Sequence, residues 1–397
     1  MNFLFILDEY PFPARNGVTV PVSNLIQLLT QKGHRVDILL FELNTNNSNI
    51  DKVNYAKNDH ITAYSSIKFK RKSLIPSFIN EILTIEPVFM SWNIVDQTDI
   101  ELLLDQYDVI WTSPIRPFGI WIKIRSSINV KSDYIVAAIN DSYSMTLTAL
   151  SKKASIAFRF FYKIRALAIK HIERKLLPEA DLICVQSRVE IEFLSTVLDS
   201  DSKEKLFEFK NGVSDKFLTP RLPHKYDLLF VGVLDDNYRP TIQWFINKVY
   251  SRFTEIRPTF CIISSTANES DINFFKKFDI VHIPFVSEID QYYLSSKILI
   301  APIFKGFGTI NKVLEAMAAG CVVIGDNSAF NGIEAFVPGR DGIVAATEGE
   351  FYDAIYNILS NENLAFSIGH CARILIKNNF SWNSRLNYLS KRLPLPI

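Results

Sequence analysis

The stretch "SSKILIAPIFKGFGTINKVLEAMAAGCVVIGD", residues 295–326, reads as a strand, a glycine loop, a helix and a second strand. The runs "KILIAPI" and "CVVIGD" are apolar without alternation, as strands buried on both faces are. Between them, "TINKVLEAMAAG" spaces its apolar residues as a helix does and stops at Gly320. Strands apolar on both faces and separated by helices predict a parallel sheet covered on both sides.

The same alternation extends in both directions. "YDLLFVGV", "TFCIISS" and "IVHIPF" precede the opening stretch, and "NFLFIL", "RVDILLF", "YDVIWTS", "DYIVAAIN" and "ADLICVQS" fill the first half. A chain of 397 residues exceeds one ordinary core. The expected fold class is therefore α/β, with two doubly wound, Rossmann-like parallel-sheet domains facing across a cleft. The break falls in "NGVSDKFLTPRLPHK", residues 211–225, where Gly212, Pro220 and Pro223 interrupt the periodicity. The expected division is an N-terminal domain over 1–210, a linker over 211–225, a C-terminal domain over 226–378 and a terminal helix over 379–397. That helix is expected to pack back on the N-terminal domain.

Composition narrows the function classes. The formal net charge of +1 gives no global attraction to nucleic acid or membrane. Cys184, Cys261, Cys321 and Cys371 show no metal or disulfide spacing and read as reduced thiols. The start "MNFLFILDEY" meets two acids too soon to be a secretion signal, and no apolar run approaches the roughly 20 residues that span a bilayer. The protein is expected in the cytosol, or resting on the cytosolic side of a membrane.

The start of the helix carries the chemistry. First-turn N–H groups lack partners inside a helix, so a glycine loop leading into one forms an anion site. Gly306 and Gly308, flanking Phe307, let a ligand approach the backbone. Lys312 opposes the helix dipole, at a cost of about 0.3–1 kcal/mol, unless an anion binds there. Glu315 lies one turn on, on the face of Asn311 and Lys312, where a carboxylate can accept both hydroxyls of a ribose diol. Diphosphate at the helix start and ribose on Glu315 describe a nucleotide diphosphate. A plain Lys312–Glu315 surface pair is the alternative. A dinucleotide fingerprint would need glycine at Asn311, and no ATP-type phosphate loop occurs.

Residues 301–345, "APIFKGFGTINKVLEAMAAGCVVIGDNSAFNGIEAFVPGRDGIVA", resemble the donor-site signature of family-four (group 1) retaining glycosyltransferases, the two-Rossmann-domain GT-B type. "PFPARNGVTVPVSNLIQLLTQKGHRVDILLF", "ERKLLPEADLICVQS", "LFEFKNGVSDKF" and "DLLFVGVLDDNYRPTIQWF" resemble further segments of that family, in its order. The resemblance implies sugar transfer from a nucleotide diphosphate sugar to a saccharide or lipid-linked saccharide hydroxyl. It also implies retention, no metal, no cofactor beyond the donor, and a place in bacterial surface polysaccharide or glycolipid synthesis. Donor contacts are expected from Gly306, Phe307, Gly308, Thr309, Asn311, Lys312 and Glu315, and from Arg15, Asn16 and Gly17 of the N-terminal loop. Lys312, Arg239 and Asp141 are the candidate catalytic residues. Three positions depart from the common pattern. Phe307 replaces an acid, Val233 replaces a phosphate-binding arginine, with Arg239 the nearest substitute, and Asn140 or Asp141 stands where a histidine is frequent. An epimerase or phosphorylase of the same architecture, or a non-catalytic binding relative, stays open. The sequence also leaves a turn role for residues 15–17 and a helix-cap role for Asp141 open.

One segment points to a surface. In "SKKASIAFRFFYKIRALAIKHIERK", Lys152, Arg159, Lys163, Lys170 and Arg174 step by seven and four, which on one helix makes a single basic stripe. Phe160 and Leu167 flank it, while Phe158, Phe161, Ile169 and Ile172 are expected to face the core. A basic stripe with apolar flanks suits an anionic lipid surface; a solvated helix face is the alternative. No nucleic-acid partner is expected.

Overall fold

The computed structural model describes residues 1–14, 18–43, 59–71, 92–98, 103–128, 130–140, 142–153, 155–235, 238–255, 257–303 and 309–394. The chain divides into two units, Met1–Lys210 with Leu386–Ile397, and Asn211–Arg385.

In the C-terminal unit, strand residues alternate between two cores because both faces of the sheet are covered. Leu228, Phe230, Ile262, Ile298, Ile300, Val322 and Ile324 enter one core. Leu229, Cys261, Ile263, Leu299, Ala301, Cys321 and Val323 enter the other. The six strands run in the order Val281–Ile283, Phe260–Ile263, Tyr226–Val231, Ser296–Ala301, Val322–Gly325, Ile343–Val344. All their pairings are parallel. The order reverses between Tyr226–Val231 and Ser296–Ala301, and the crevice at such a reversal is where open α/β sheets bind ligands.

The helix Asn311–Ala319 follows Ser296–Ala301 and ends at Gly320, whose φ of 77° is the left-handed conformation glycine takes without penalty. Val313, Leu314, Ala316, Met317, Ala318 and Ala319 are buried, so Asn311, Lys312 and Glu315 form its narrow polar face. Residues 211–225 pack within this unit. The Val213 N–H donates to Phe380 O at 2.7 Å, and Phe217 is buried in the core. Gly212 lies against the Trp382 indole, where a Cβ would meet the ring at 2.6 Å.

The N-terminal unit holds an eight-stranded sheet. Its order is Leu206–Glu208, Leu182–Val185, Ile135–Asn140, Val109–Ser113, Asn2–Leu7, Arg35–Leu43, Ala63–Arg71, Trp92–Thr98. Every pairing is parallel except that of Ala63–Arg71 with Trp92–Thr98. Its reversal lies between Asn2–Leu7 and Val109–Ser113. At the C-terminal end of the chain, Tyr388 stacks on Phe207 at 4.8 Å within this unit.

The basic segment differs from its reading. The helix Tyr143–Lys153 ends before a new helix, Ile156–Leu176, begins, so Lys152 belongs to a different helix from the other four cations. Lys170 is half-buried, its Nζ 4.9 Å over the Phe193 ring. Phe158 is 59% exposed, beside Phe160 at 69% and Leu167 at 66%, instead of facing the core. Ile169 and Ile172 do face inward. Cys184, Cys261 and Cys321 are buried free thiols, and Cys371 is half-buried.

Candidate functional site

The polar face of Asn311–Ala319 sits where the C-terminal sheet reverses. The Val313 and Leu314 amides donate to the Ile310 carbonyl oxygen at 3.0 and 3.2 Å, which leaves the amides of Asn311 and Lys312 as the helix's open donors, and no side chain caps the helix at Ile310. Thr309 places its buried Oγ1 just before the helix, without a hydrogen-bond partner among the described residues. Asn311 accepts from Asn211 Nδ2 at 3.3 Å. Asn211 Oδ1 is likewise buried and unpartnered.

Lys312 does not pair with Glu315. Its Nζ lies 4.1 Å from the centre of the Tyr238 ring and 5.2 Å from that of Phe230. It also presses on the backbone at Gly232, where an added Cβ would come within 2.8 Å of Nζ. A cation over aromatic faces gains about 0.5–2 kcal/mol, which only partly offsets loss of water. Burial therefore pulls the Lys312 pKa down to about 8, against the opposing attraction of Asp235. At neutral pH the site holds an ammonium ion among rings, on the first turn of the helix, whose N-terminal end favours an anion.

Glu315 occupies a different microenvironment one turn on. It is half-buried, and burial pushes its pKa up to about 7, with the Tyr293 hydroxyl and the Lys216 charge acting the other way. The Tyr293 hydroxyl is fully buried and interacts with this carboxyl without making a well-aligned hydrogen bond. Acceptor capacity on Glu315 is therefore left for a ligand.

Arg239 is tied down differently. Its Nε donates to both Asp271 oxygens, at 3.1 and 3.0 Å, and Asp271 also closes the capping box of the helix Glu269–Lys276. Gly306, Phe307, Gly308, Arg15, Asn16, Gly17 and Asp141 lie outside the described residues.

Around position 141, two buried acids hold the backbone. Glu190 accepts from the Ser142 N–H at 3.0 Å. Glu173 accepts from the Ser142 hydroxyl at 3.2 Å and from the Ser144 N–H and hydroxyl. Burial raises the Glu173 pKa despite these donors. At the reversal of the N-terminal sheet, Asp8 pairs with Arg116 at 2.9 Å, and burial raises the Asp8 pKa to about 6.

Tyr238, Phe230, Asn211, Tyr293, Asp8 and the acids Glu173 and Glu190 were not singled out in the sequence. Tyr238 stands beside Arg239 in "NYRP" and Phe230 lies two residues before Gly232, so nearness to those motifs was their only local signal.

Residues 225–361 match the family model described as "Glycosyl transferases group 1". The matched stretch contains Lys312 and Glu315. No curated protein sequence matches the chain. Among solved structures, sucrose-phosphate synthase from Thermosynechococcus elongatus superposes with a TM-score of 0.64 at 16% identity, over 98% of each chain. Anabaena HepE, solved in complex with UDP and glucose, gives 0.63 at 11% identity over 98% of each chain. TarM gives 0.65 at 11% identity, over 100% of this chain and 99% of its own. The fold is that of these two-domain GT-B glycosyltransferases, as the sequence resemblance implied.

Proposed function

We propose that the protein transfers a sugar from a nucleotide diphosphate sugar to a hydroxyl acceptor, with retention and without a metal. The observation that carries this reading is Lys312, an ammonium held by the rings of Tyr238 and Phe230 at the start of a helix that carries Glu315 one turn on. Glycosidic cleavage builds negative charge on the departing diphosphate, and a preorganised cation with free amides stabilises charge best where water is excluded. Lys312 and the helix start would meet that charge, and Glu315 would take the ribose diol. The Arg239–Asp271 pair would support the helix that carries Tyr238, a positioning role in place of direct phosphate contact. The acceptor is assigned to the N-terminal unit, with Asp141 as the residue proposed to act on it. HepE with UDP and glucose, and an E. coli protein bound with UDP-2-fluoro glucose, make UDP-glucose the first donor to test. Nucleoside diphosphate released only when an acceptor is added supports transfer; release without one, or no nucleotide binding, rejects it.

Gly232 supplies a sensitive check on Lys312. A Gly232→Ala methyl would displace the ammonium, and Gly232 has no positive φ that alanine would strain. Misplacing a reacting group by about 1 Å costs up to about 100-fold, so kcat is expected to fall about 10- to 100-fold with the melting temperature little changed. An unchanged kcat would show that the position of the ammonium does not matter.

The acceptor is proposed to be a lipid-linked saccharide met at an anionic membrane surface, as in surface polysaccharide or glycolipid synthesis. Exposed Phe160 and Leu167 flank Arg159, Lys163 and Arg174 on one helix. Each such cation is worth about 1 kcal/mol near an anionic leaflet. No described helix is long and apolar enough to cross a membrane, so contact would be peripheral. Replacing Arg159, Lys163 and Arg174 by Gln is expected to abolish co-sedimentation with anionic vesicles at low salt. Wild-type protein left in the supernatant would reject the membrane reading.

A further inference from the structure

At the other end of the helix Asn311–Ala319, glycine meets glycine. The helix Glu362–Phe380 crosses so closely that a Cβ on Gly369 would collide with the Gly320 carbonyl oxygen. Beside this crossing lies a cavity of about 530 Å³, lined by Arg221, Lys297, Arg373, His370, Leu222 and Phe366 among others. Lys297 is the second residue of its strand and Gly320 caps the end of its helix, so the cavity opens at the amino end of the sheet. At about 1.5 Å per residue it lies about 12 Å along the helix from Lys312.

Its charge is one-sided. Arg221, Lys297 and Arg373 face it with Glu362 as the lone carboxylate of the lining. Both guanidinium groups rest on backbone carbonyls. Arg221 donates to Ala319 O at 3.1 Å and to Ser296 O, and Arg373 to Leu218 O and to Thr219 O at 2.8 Å. Carbonyls orient a guanidinium without neutralising it, and each arginine retains further N–H donors. Burial and the adjacent charge of Arg221 lower the Arg373 pKa, so the two cations repel across this wall. Beside them Phe366 is 72% exposed, its ring stacked on His370 at 5.7 Å and 11°. Fixed cations beside an exposed ring in a cavity of small-molecule size suit an anion with an uncharged, flat-faced body.

We propose that this cavity binds a small phosphate ester of a sugar, the phosphate between Lys297 and the two arginines, the sugar's C–H face on Phe366. This site is separate from the proposed donor site and stands whether or not that reading holds.

The test is NMR of the His224 and His370 ring resonances in the full chain. The chain is titrated at constant ionic strength with glucose 6-phosphate, inorganic phosphate and glucose. Glucose 6-phosphate is expected to move His370 saturably, inorganic phosphate more weakly, and glucose not at all. Lys297→Gln, at a partly exposed position, is expected to weaken the ester about tenfold or more. Arg373→Lys, which keeps the charge but loses the fork, gives a second reading. Phe366→Ala is expected to erase the preference for the ester over inorganic phosphate. Lys312→Met should leave the titration unchanged. The site is overturned by an absent or non-saturating shift, by equal affinity in Lys297→Gln and wild type, or by loss of the shift in Lys312→Met. Equal response to phosphate and ester in wild type overturns the assignment of the sugar.

Discussion

Lys312→Met is expected to lower kcat by about 10²–10³-fold, the usual cost of removing one preorganised donor from a developing anion. Methionine keeps the apolar stem of the side chain to within one atom, and removes the charged Nζ that lies over Tyr238 and Phe230. Stability should move the other way. The folded pKa of about 8 lies below the ordinary 10.5, so between those values the unfolded chain holds a proton that the folded chain has lost. Stability then rises with pH across that window, and below about pH 8 the full penalty of a desolvated ammonium is present. The variant is therefore expected to melt no lower than wild type at pH 7 while losing its rate. Steady-state kinetics and thermal denaturation on one preparation separate the roles. Near-normal kcat ends the phosphate role, and a lower melting temperature with normal kcat would make Lys312 a structural cation.

The strands were legible because burial on both faces writes itself into the chain as unbroken apolar runs. "KILIAPI" and "CVVIGD" needed no partner to be recognised, and both are core strands. Asn311, Lys312 and Glu315 share a face because helical periodicity fixes directions within an element. What periodicity cannot fix is what stands across from that face. Lys312 meets Tyr238 and Phe230, contributed by a helix and a strand 74 and 82 residues earlier, and the local alternative, Glu315 at three residues' distance, is not its partner. The basic segment was legible only in part, for a related reason: Arg159, Lys163, Lys170 and Arg174 share one helix, and Lys152 does not. A stripe counted at 100° per residue assumes one continuous helix, and the break between Lys153 and Ile156 resets the phase. Glu173, inside that cationic run, carries no local sign of its burial. Its two serine partners lie about 30 residues away at a strand end, where only the fold brings them together.

The same reasoning makes Glu315→Gln the sharper test of donor recognition. Glutamine keeps the volume and one acceptor oxygen but loses the charge that a vicinal diol prefers. Hydrogen bonds to a charged group are worth about 1.5–3 kcal/mol, so affinity for the nucleoside diphosphate is expected to fall about 10- to 150-fold at pH 8. The pH dependence carries the assignment. Burial holds the Glu315 pKa at about 7 instead of 4.5, so wild-type affinity should rise with pH through about 7 as the carboxylate forms. It should fall again above about pH 8 as free Lys312 loses its proton. The glutamine variant should lack the acidic limb and keep the basic one, and the two proteins should converge below about pH 6. Stability has the opposite slope on that limb. Between 4.5 and about 7 the folded chain holds a proton that the unfolded chain has released, so wild type loses stability as pH rises, and Glu315→Gln should flatten that loss. Calorimetric titration across pH 5.5–9 reads binding, and denaturation over the same range reads stability. Parallel binding profiles for wild type and variant would remove Glu315 from the donor site, even if the variant bound more weakly at every pH.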